Sequence, residues 1–400
     1  MVRPPAVQER AALEGDPVLL ADRVLRILPP GTGQPLGLWP LHGRAAEGRP
    51  GGHHAGGLRR LRLALAGRAA ALERGSSLRS RARRGGGRQL ALIVAALLGL
   101  LAAPAPALAC ERARGAADAP VALILSGGGA KGAWEAGVAA ALIERGLPVR
   151  LVAGSSAGAL NAAMVADGRL DRLQDLWRTV TREQVYTLRP SVVLAGLLPG
   201  VLTLLALDRA GSLLDPAPLR ELIAGSIDLE RIRASRVELL VVATDLARYD
   251  KRVFDNRTVS VDALMAAAAM PGVFPPVRVD GVPLVDGGLT GRAPVLEALA
   301  LGRPIGRAVV VMSYAPDERA SAPTTLRRTL EEAMELVMIH AIRRDVELAR
   351  LRHPDVDVQL LTPSAPLMLR PLDFDTEGMA KALERGRADA QACLDAMHGR

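Results

Sequence analysis

The sequence predicts an α/β fold with a mostly parallel central sheet. Apolar, β-branched runs of strand length alternate with helical patterns between Val121 and Met397, the order expected of a sheet with helices packed on it. Two of these runs open into glycine-containing turns that lead straight into a helical pattern, so residues 121–158 form two strand–turn–helix units in succession. Hydrophobic residues make up 49% of the 400, ample for a core, but aromatics only 2%, so aliphatic side chains must fill it.

Upstream of these units the composition is different. Residues 1–80 are rich in Arg, Gly, Ala, Pro and Leu, with clusters such as Gly51-Gly52-His53-His54, and read as disordered or as an extension from a start codon placed too far upstream. Arg81, Arg83, Arg84 and Arg88 then precede the apolar run Leu90 to Leu101, and Ala107-Leu108-Ala109 follows. A basic, then apolar, then small-residue order over 81–109 predicts a secretory signal peptide or an uncleaved membrane anchor, although the apolar run is short for a span. The protein is therefore expected to be exported across, or anchored to, a bacterial inner membrane. Cys110 sits where a lipoprotein would be acylated, but Ala107 stands at the position where such sites usually have Leu. Residues 110–119 read as a linker, and the catalytic domain is expected over 120–400.

The formal net charge of +9 belongs to the leader. Residues 1–109 hold sixteen Arg, no Lys and six acidic residues, while the remainder balances 35 basic against 36 acidic residues. Nothing in that remainder argues for nucleic-acid binding. The two cysteines, Cys110 and Cys393, are too few for a disulfide framework or a cysteine-based metal site, though they leave a single bridge open. No metal-ligand cluster is seen.

The elements follow in order. Val121 to Leu125 is a buried strand, and a helix follows from about Ala133 to Arg145. Val149 to Ala153 is the second strand, and Gly158 to Ala166 its helix. Residues 170–186 look helical and carry Trp177. The apolar stretch Ser191 to Leu207 is broken by Pro199-Gly200 and reads first as a buried helical hairpin, second as a lid or lipid-facing surface. Strands are expected at Val237 to Thr244, Tyr249 to Phe254, Val277 to Val279, Pro283 to Val285, Arg307 to Ser313 and Val356 to Leu361. Helices are expected at Val261 to Ala269, Thr325 to Arg352 and Glu377 to Met397.

Two turns carry the chemistry. Gly154-Ser155-Ser156-Ala157-Gly158 has the G-x-S-x-G form of a nucleophile elbow, in which small flanking residues permit a sharp turn that lifts the Ser156 hydroxyl off the sheet. Gly127-Gly128-Gly129-Ala130-Lys131-Gly132 follows the first strand and offers backbone N–H groups at a helix N-terminus, suited to a developing oxyanion. Asp286-Gly287-Gly288 also follows a strand. In open α/β sheets ligand sites lie at the carboxyl ends of strands, so all three are predicted to meet. Asp286 also has a plain use as a cap of its own turn, and Asp245 is a lesser candidate with a turn role of its own.

In this order GGGAKG, GSSAG and DGG resemble the patatin-like phospholipases, and the run Ala268 to Pro276 leading to VDGG strengthens the match. The resemblance covers about residues 120–400. It implies a three-layer α/β/α sandwich and a Ser–Asp dyad. Ser156 would be the nucleophile and Asp286 the base that activates first it and then water. The oxyanion hole would come from the loop Gly127 to Gly132, centred on Gly128, Gly129 and Ala130. Lys131 would orient the loop or act electrostatically, unless it is simply a solvated lysine. The family needs no metal or cofactor; its substrates are phospholipids or other acyl-ester lipids, met at a membrane surface.

Three rivals remain at this point. One is an α/β-hydrolase triad, Ser156–Asp286–His353, whose chain order fits. Another is nucleotide binding by the glycine loop, although GGGAKG lacks P-loop spacing. The last is a catalytically silent protein of the same fold. His340 falls in mid-helix, where a structural role is the default.

Overall fold

The computed structural model of the chain describes residues 118–196, 201–315 and 323–397. The upstream extension, the signal or anchor segment, Cys110 and all of the linker but Asp118 and Ala119 lie outside the described residues. Among the described residues no helix is long and apolar enough to cross a membrane.

The first half contains β1 (Val121–Leu125), α1 (Gly132–Glu144), β2 (Val149–Gly154), α2 (Ala157–Asp167), α3 (Leu170–Thr179), α4 (Arg182–Val185), β3 (Thr187–Leu188), α5 (Pro190–Ala195), α6 (Val201–Ala210) and β4 (Leu214–Asp215). The second contains α7 (Ala217–Ser226), α8 (Leu229–Ala234), β5 (Glu238–Asp245), β6 (Asp250–Asp255), α9 (Val261–Ala267), β7 (Val277–Val279), β8 (Val282–Asp286) and α10 (Val295–Ala300). It closes with β9 (Arg307–Val311), α11 (Leu326–Arg352), β10 (Asp357–Leu361) and α12 (Thr376–Met397).

Eight strands form one sheet in the order β10-β9-β1-β2-β5-β8-β7, with β6 also paired to β5. The five from β10 to β5 run parallel, and β6, β7 and β8 are antiparallel to their neighbours. Side chains alternate between two cores. Val121, Leu123 and Leu125 join α1, α2, α9 and α12 on one face, while Ala122 and Ile124 join α10 and α11 on the other. The expected three-layer α/β/α sandwich is therefore the observed architecture, and the continuous apolar strands are those of a sheet buried on both faces.

One detail of pairing positions the site. β2 pairs with β5 only as far as Gly154 opposite Val241. Past that point β8 takes over, with Asp286 opposite Ala243. The space that β2 would fill if it continued is thus occupied by the end of β8.

The helical reading of 170–186 holds as two helices, α3 and α4: Val180 is extended, and Thr181 starts α4 with a reciprocal capping box to Gln184. One sequence expectation is corrected. The 191–207 stretch contains α5 and α6, but the apolar side chains described on them are largely exposed. Leu194 is 64% exposed and Leu202 51%, with Val193 and Leu205 similarly open. The buried-hairpin reading fails because only Ala195 of α5 reaches the core. Residues 217–234 and 295–300 form helices that periodicity did not single out.

Helices α1 and α12 cross closely because glycine faces backbone on each side. A Cβ at Gly137 would lie 2.0 Å from the Leu383 carbonyl oxygen, and one at Gly386 would lie 2.1 Å from that of Trp134. The Trp134 indole donates to Asp389 Oδ2 at 2.8 Å and locks the pair. Gly386→Ala should therefore lower stability by ~1–3 kcal/mol in urea unfolding. Gly225→Ala, whose Cβ would meet nothing within 4 Å in α7, should raise it by ~0.5–1 kcal/mol. Equal effects at the two sites would contradict the close-crossing account.

Candidate active site

Ser156 follows β2 and caps α2 with φ 54° and ψ −138°, a conformation that costs a non-glycine residue ~1–3 kcal/mol. The turn is held from several sides. Ser156 N–H donates to the Ala267 carbonyl at 2.9 Å, and Ser155 Oγ donates to the Arg292 carbonyl at 2.6 Å. Gly154 and Gly158 are obligatory: a Cβ on the first would lie 2.3 Å from Gly158 O, and on the second 2.4 Å from Leu125 O. The Ser156 side chain is left at the edge of a cleft, 7% exposed.

The glycine loop lies directly over this elbow. Gly127, Gly128 and Gly129 have φ of 75°, 139° and 59°, which only glycine adopts freely in succession. A Cβ on Gly127 would touch Ser156 Cβ at 3.0 Å, and one on Gly129 would enter the Pro371 carbonyl.

The six residues expected to furnish an oxyanion hole are not equivalent. Gly127 N–H is committed to the Glu135 carboxylate at 2.8 Å, and Ala130 N–H to Pro371 O at 2.9 Å. Lys131 N–H donates to Gly128 O, and Gly132 N–H to carbonyls of its own turn. Gly128 and Gly129 N–H donate to nothing among the described residues. Ala157 N–H, first in α2, has no intrahelical acceptor. Four of the six expected donors are thus spent on holding the loop itself.

Lys131 is not a solvated lysine. It is buried, with Nζ 3.5 Å from Glu335 Oε2 of α11 and 4.1 Å from the Tyr314 ring centroid. An ammonium held over an aromatic face and beside a carboxylate anchors the loop to the opposite layer.

Asp286 ends β8, and its backbone is pinned by Thr244 Oγ1, which donates to its carbonyl at 2.9 Å. Its two carboxylate oxygens differ. Oδ1 accepts the Gly288 N–H at 2.7 Å, the turn cap foreseen from the sequence. Oδ2 is buried and accepts no hydrogen bond among the described residues. Burial pushes the Asp286 carboxyl above its ordinary range, against the Arg292 charge, the Gly288 N–H and the neighbouring Ser156 hydroxyl, which all favour the ionised form.

Two charged residues that sequence reasoning missed complete the floor. Glu135, in the first turn of α1, is fully buried; it accepts Ser126 Oγ at 2.8 Å and the Gly127 N–H through both oxygens. Arg292 is 2% exposed, and its Nε and Nη1 have no hydrogen-bond partner among the described residues. The available signal was a single charge in each of two otherwise small and apolar stretches, four residues past Lys131 and six past Asp286.

The cleft is lined by all three motifs, through Gly129, Ser156, Ala157 and Asp286, and otherwise almost wholly by apolar side chains. It is partly open to solvent. Tyr186 packs edge-to-face on Phe274 and Phe374 at its wall, and Trp177 donates to Asn161 Oδ1 at 2.7 Å.

The triad reading fails on topology. His353 caps the end of α11 just before β10, whose first residue pairs with Arg307 at the start of β9. It therefore lies at the amino ends of the parallel strands, whereas Ser156 lies past the carboxyl end of β2. His340 is exposed in mid-α11 and does not line the cleft. Asp245 accepts the N–H groups of Ala247 and Arg248 and pairs with the Arg248 guanidinium, a turn role.

Residues 123–299, which hold all three motifs, match the family model for patatin-like phospholipase. The resemblance read from the motifs holds over that stretch. An uncharacterized NTE family protein of Mycobacterium tuberculosis is 36% identical over 191 residues, 48% of this chain and 48% of the relative. The chain thus spans about half the length of the curated relatives it matches. VipD from Legionella pneumophila is similar in structure with a TM-score of 0.39 and 17% identity, over 72% of this chain and 70% of VipD. A human GIVD cytosolic phospholipase A2 complexed with a linolenyl fluorophosphonate is similar with a TM-score of 0.35 and 14% identity, over 70% and 59%.

Burial of Glu135 has a measurable consequence. Desolvation pushes its carboxyl from an ordinary 4.5 up to about 7, against its hydrogen bonds to Ser126 and Gly127 and the Arg292 charge. Between these values the folded protein holds a proton that the unfolded chain releases, so stability falls as pH rises across the window. The loss approaches ~3 kcal/mol at pH above 7. Glu135→Gln should remove this portion of the pH dependence in chemical denaturation at pH 4.5 and 8. An unchanged difference would show that Glu135 does not titrate as described.

Proposed function

We propose that the chain is a serine acyl hydrolase acting on ester bonds of lipids, with Ser156 as nucleophile and Asp286 as its general base. The observation that carries the reading is the cleft itself: a strained serine, a buried carboxylate and a glycine loop with uncommitted amides border one apolar cavity.

A serine hydroxyl attacks an ester only if a base takes its proton. Asp286 Oδ2 is the acceptor left over once Oδ1 has capped its turn. Aspartate is a weak base in water, and burial strengthens this one. In the proposed sequence Ser156 Oγ bonds to the acyl carbon as its proton passes to Asp286. The carbonyl oxygen becomes an oxyanion held by the N–H groups of Gly128 and Gly129, with Ala157 N–H as third donor. Collapse breaks the ester C–O bond, and Asp286 returns the proton to the leaving alkoxide. Water then repeats the cycle: Asp286 takes its proton as the water oxygen bonds to the acyl carbon, the acyl–Oγ bond breaks, and Asp286 returns the proton to Ser156 Oγ as the free acid leaves. Each oxyanion donor is worth ~3–4 kcal/mol in such chemistry.

The substrate class rests on the lining. Leu160, Met164, Leu176, Ile223 and Phe274 offer an acyl chain an apolar channel beside the nucleophile. The exposed apolar side chains of α5 and α6 suit a lipid surface, a location consistent with a protein exported or anchored through residues 81–109, with Cys110 as the residue a lipidated form would carry. Mass spectrometry of the mature N-terminus distinguishes cleavage, anchoring and lipidation.

Ser156→Ala and Asp286→Asn should each reduce hydrolysis of a short nitrophenyl ester by at least ~10³-fold with unchanged circular dichroism. The amide can keep the Gly288 cap, so Asp286→Asn should stay folded. Substantial turnover in either variant would overturn the dyad, whereas His340→Ala and His353→Ala should retain activity. A Leu194→Asp, Leu202→Asp double variant should keep soluble-ester hydrolysis and lose several-fold in activity on phospholipid vesicles. Equal loss on both substrates would argue that the exposed helices serve the fold.

A further inference from the structure

Arg292 is placed against all three motifs at once. A Cβ on Gly288 would lie 2.9 Å from its Nη1 and 2.9 Å from Asp286 Oδ1, so guanidinium and carboxylate crowd the same face of the turn. A Cβ on Gly128 would lie 3.6 Å from its Nη2 and 2.7 Å from Ser313 Oγ, so the fork also backs the glycine loop. Its backbone carbonyl receives the Ser155 hydroxyl of the elbow. Ser313 Oγ in turn donates to the Gly127 carbonyl, closing the loop from behind.

We propose that Arg292 is a positioning residue for the hydrolysis: one buried guanidinium, wedged between the Asp286 turn and the glycine loop, holds the base and the loop in mutual register. A planar, always-charged fork suits this position, because it can face two acceptors without a proton to lose. Nε and Nη1 are buried and engage no acceptor among the described residues, so the guanidinium is retained for its field and shape rather than for hydrogen bonds it makes.

The charges around the base are few. Arg292 is the charged group that acts on both Asp286 and Glu135, and it favours the ionised form of each. From the loop and α11, Lys131 and Glu335 pair with one another. From β5, Asp245 pairs with Arg248. From α9, Asp262 pairs with Arg220 at the surface. Among the described residues, removing the Arg292 charge would therefore leave no cation acting on the two buried carboxylates.

The inference rests on the dyad reading, and the experiment separates the two. With the full chain and a short nitrophenyl ester, kcat and KM are measured from pH 4 to 9 for wild type, Arg292→Gln and Arg292→Lys, with thermal melting as a folding check. Arg292→Gln should move the acid limb of kcat to higher pH by about one unit, with KM unchanged within about twofold. Arg292→Lys keeps the charge and loses the fork. Its acid limb should stay at the wild-type pH while kcat falls roughly tenfold. A purely structural arginine would lower both variants alike with no movement of the limb, and that result overturns the proposal. So does wild-type kcat in Arg292→Lys, which decides the matter even if the Gln variant does not fold. If Asp286→Asn remains active the dyad itself is wrong and this inference falls with it; if it is dead while the Gln variant keeps the wild-type limb, only this inference falls.

Discussion

The arrangement depends on a change of partner along a single strand. β5 is paired with β2 up to Val241 and with β8 from Ala243 onward. Because β2 leaves the sheet at Gly154, its continuation is replaced by an antiparallel strand ending in Asp286. Hydrogen-bond register, not side-chain attraction, brings the carboxylate to the serine. Strand register is quantised in single residues, and a slip of one would turn Asp286 to the opposite face. The pinning of the Asp286 carbonyl by Thr244 and of its N–H by Ala269 O reads as the means of preventing such a slip.

Around that junction the protein accepts several unfavourable local states. Ser156 sits in a glycine-like conformation, two carboxylates are desolvated, and a guanidinium is buried with nitrogens that have no partner among the described residues. Each costs on the order of 1–3 kcal/mol on its own. They persist because the layers beneath are tightly packed. The central strands are completely buried on two faces, and the α1–α12 crossing is close enough to exclude even a methyl group at two positions. Rigid packing supports a strained rim, the usual relation between a fold and its site.

The same separation of roles appears in the polar groups of the loop. Four of its six N–H donors serve architecture and two are uncommitted, so its sequence motif overstates the number of groups available to a ligand. Lys131 ties the loop to α11 through Glu335 and Tyr314, and Glu135 ties it to α1. The loop is thus anchored to both outer layers, while the apolar helices α5 and α6 stand exposed elsewhere. The polar groups of the candidate site are few and buried, while the apolar side chains of α5 and α6 are open.

Much of this was legible along the chain. Strand and helix alternation, the α/β class, the elbow at Ser156 and the turn at Asp286 are local properties. They depend on periodicity and on glycines needed within five or six residues of one another, and local sterics write themselves into sequence. The break at Val180, the exposure of Leu194 and Leu202, the commitment of the Gly127 and Ala130 amides, and the burial of Glu135, Lys131 and Arg292 could not be read there. Each depends on which distant backbone or side chain arrives alongside: Pro371 for Ala130, Tyr314 and Glu335 for Lys131, Asp286 and Gly128 for Arg292. Sequence alone determined the kinds of turn this chain can make and the chemical groups they carry. Only the tertiary structure decided which of those groups stay available, because a charge or an amide is spent or kept according to the neighbours that folding brings alongside it.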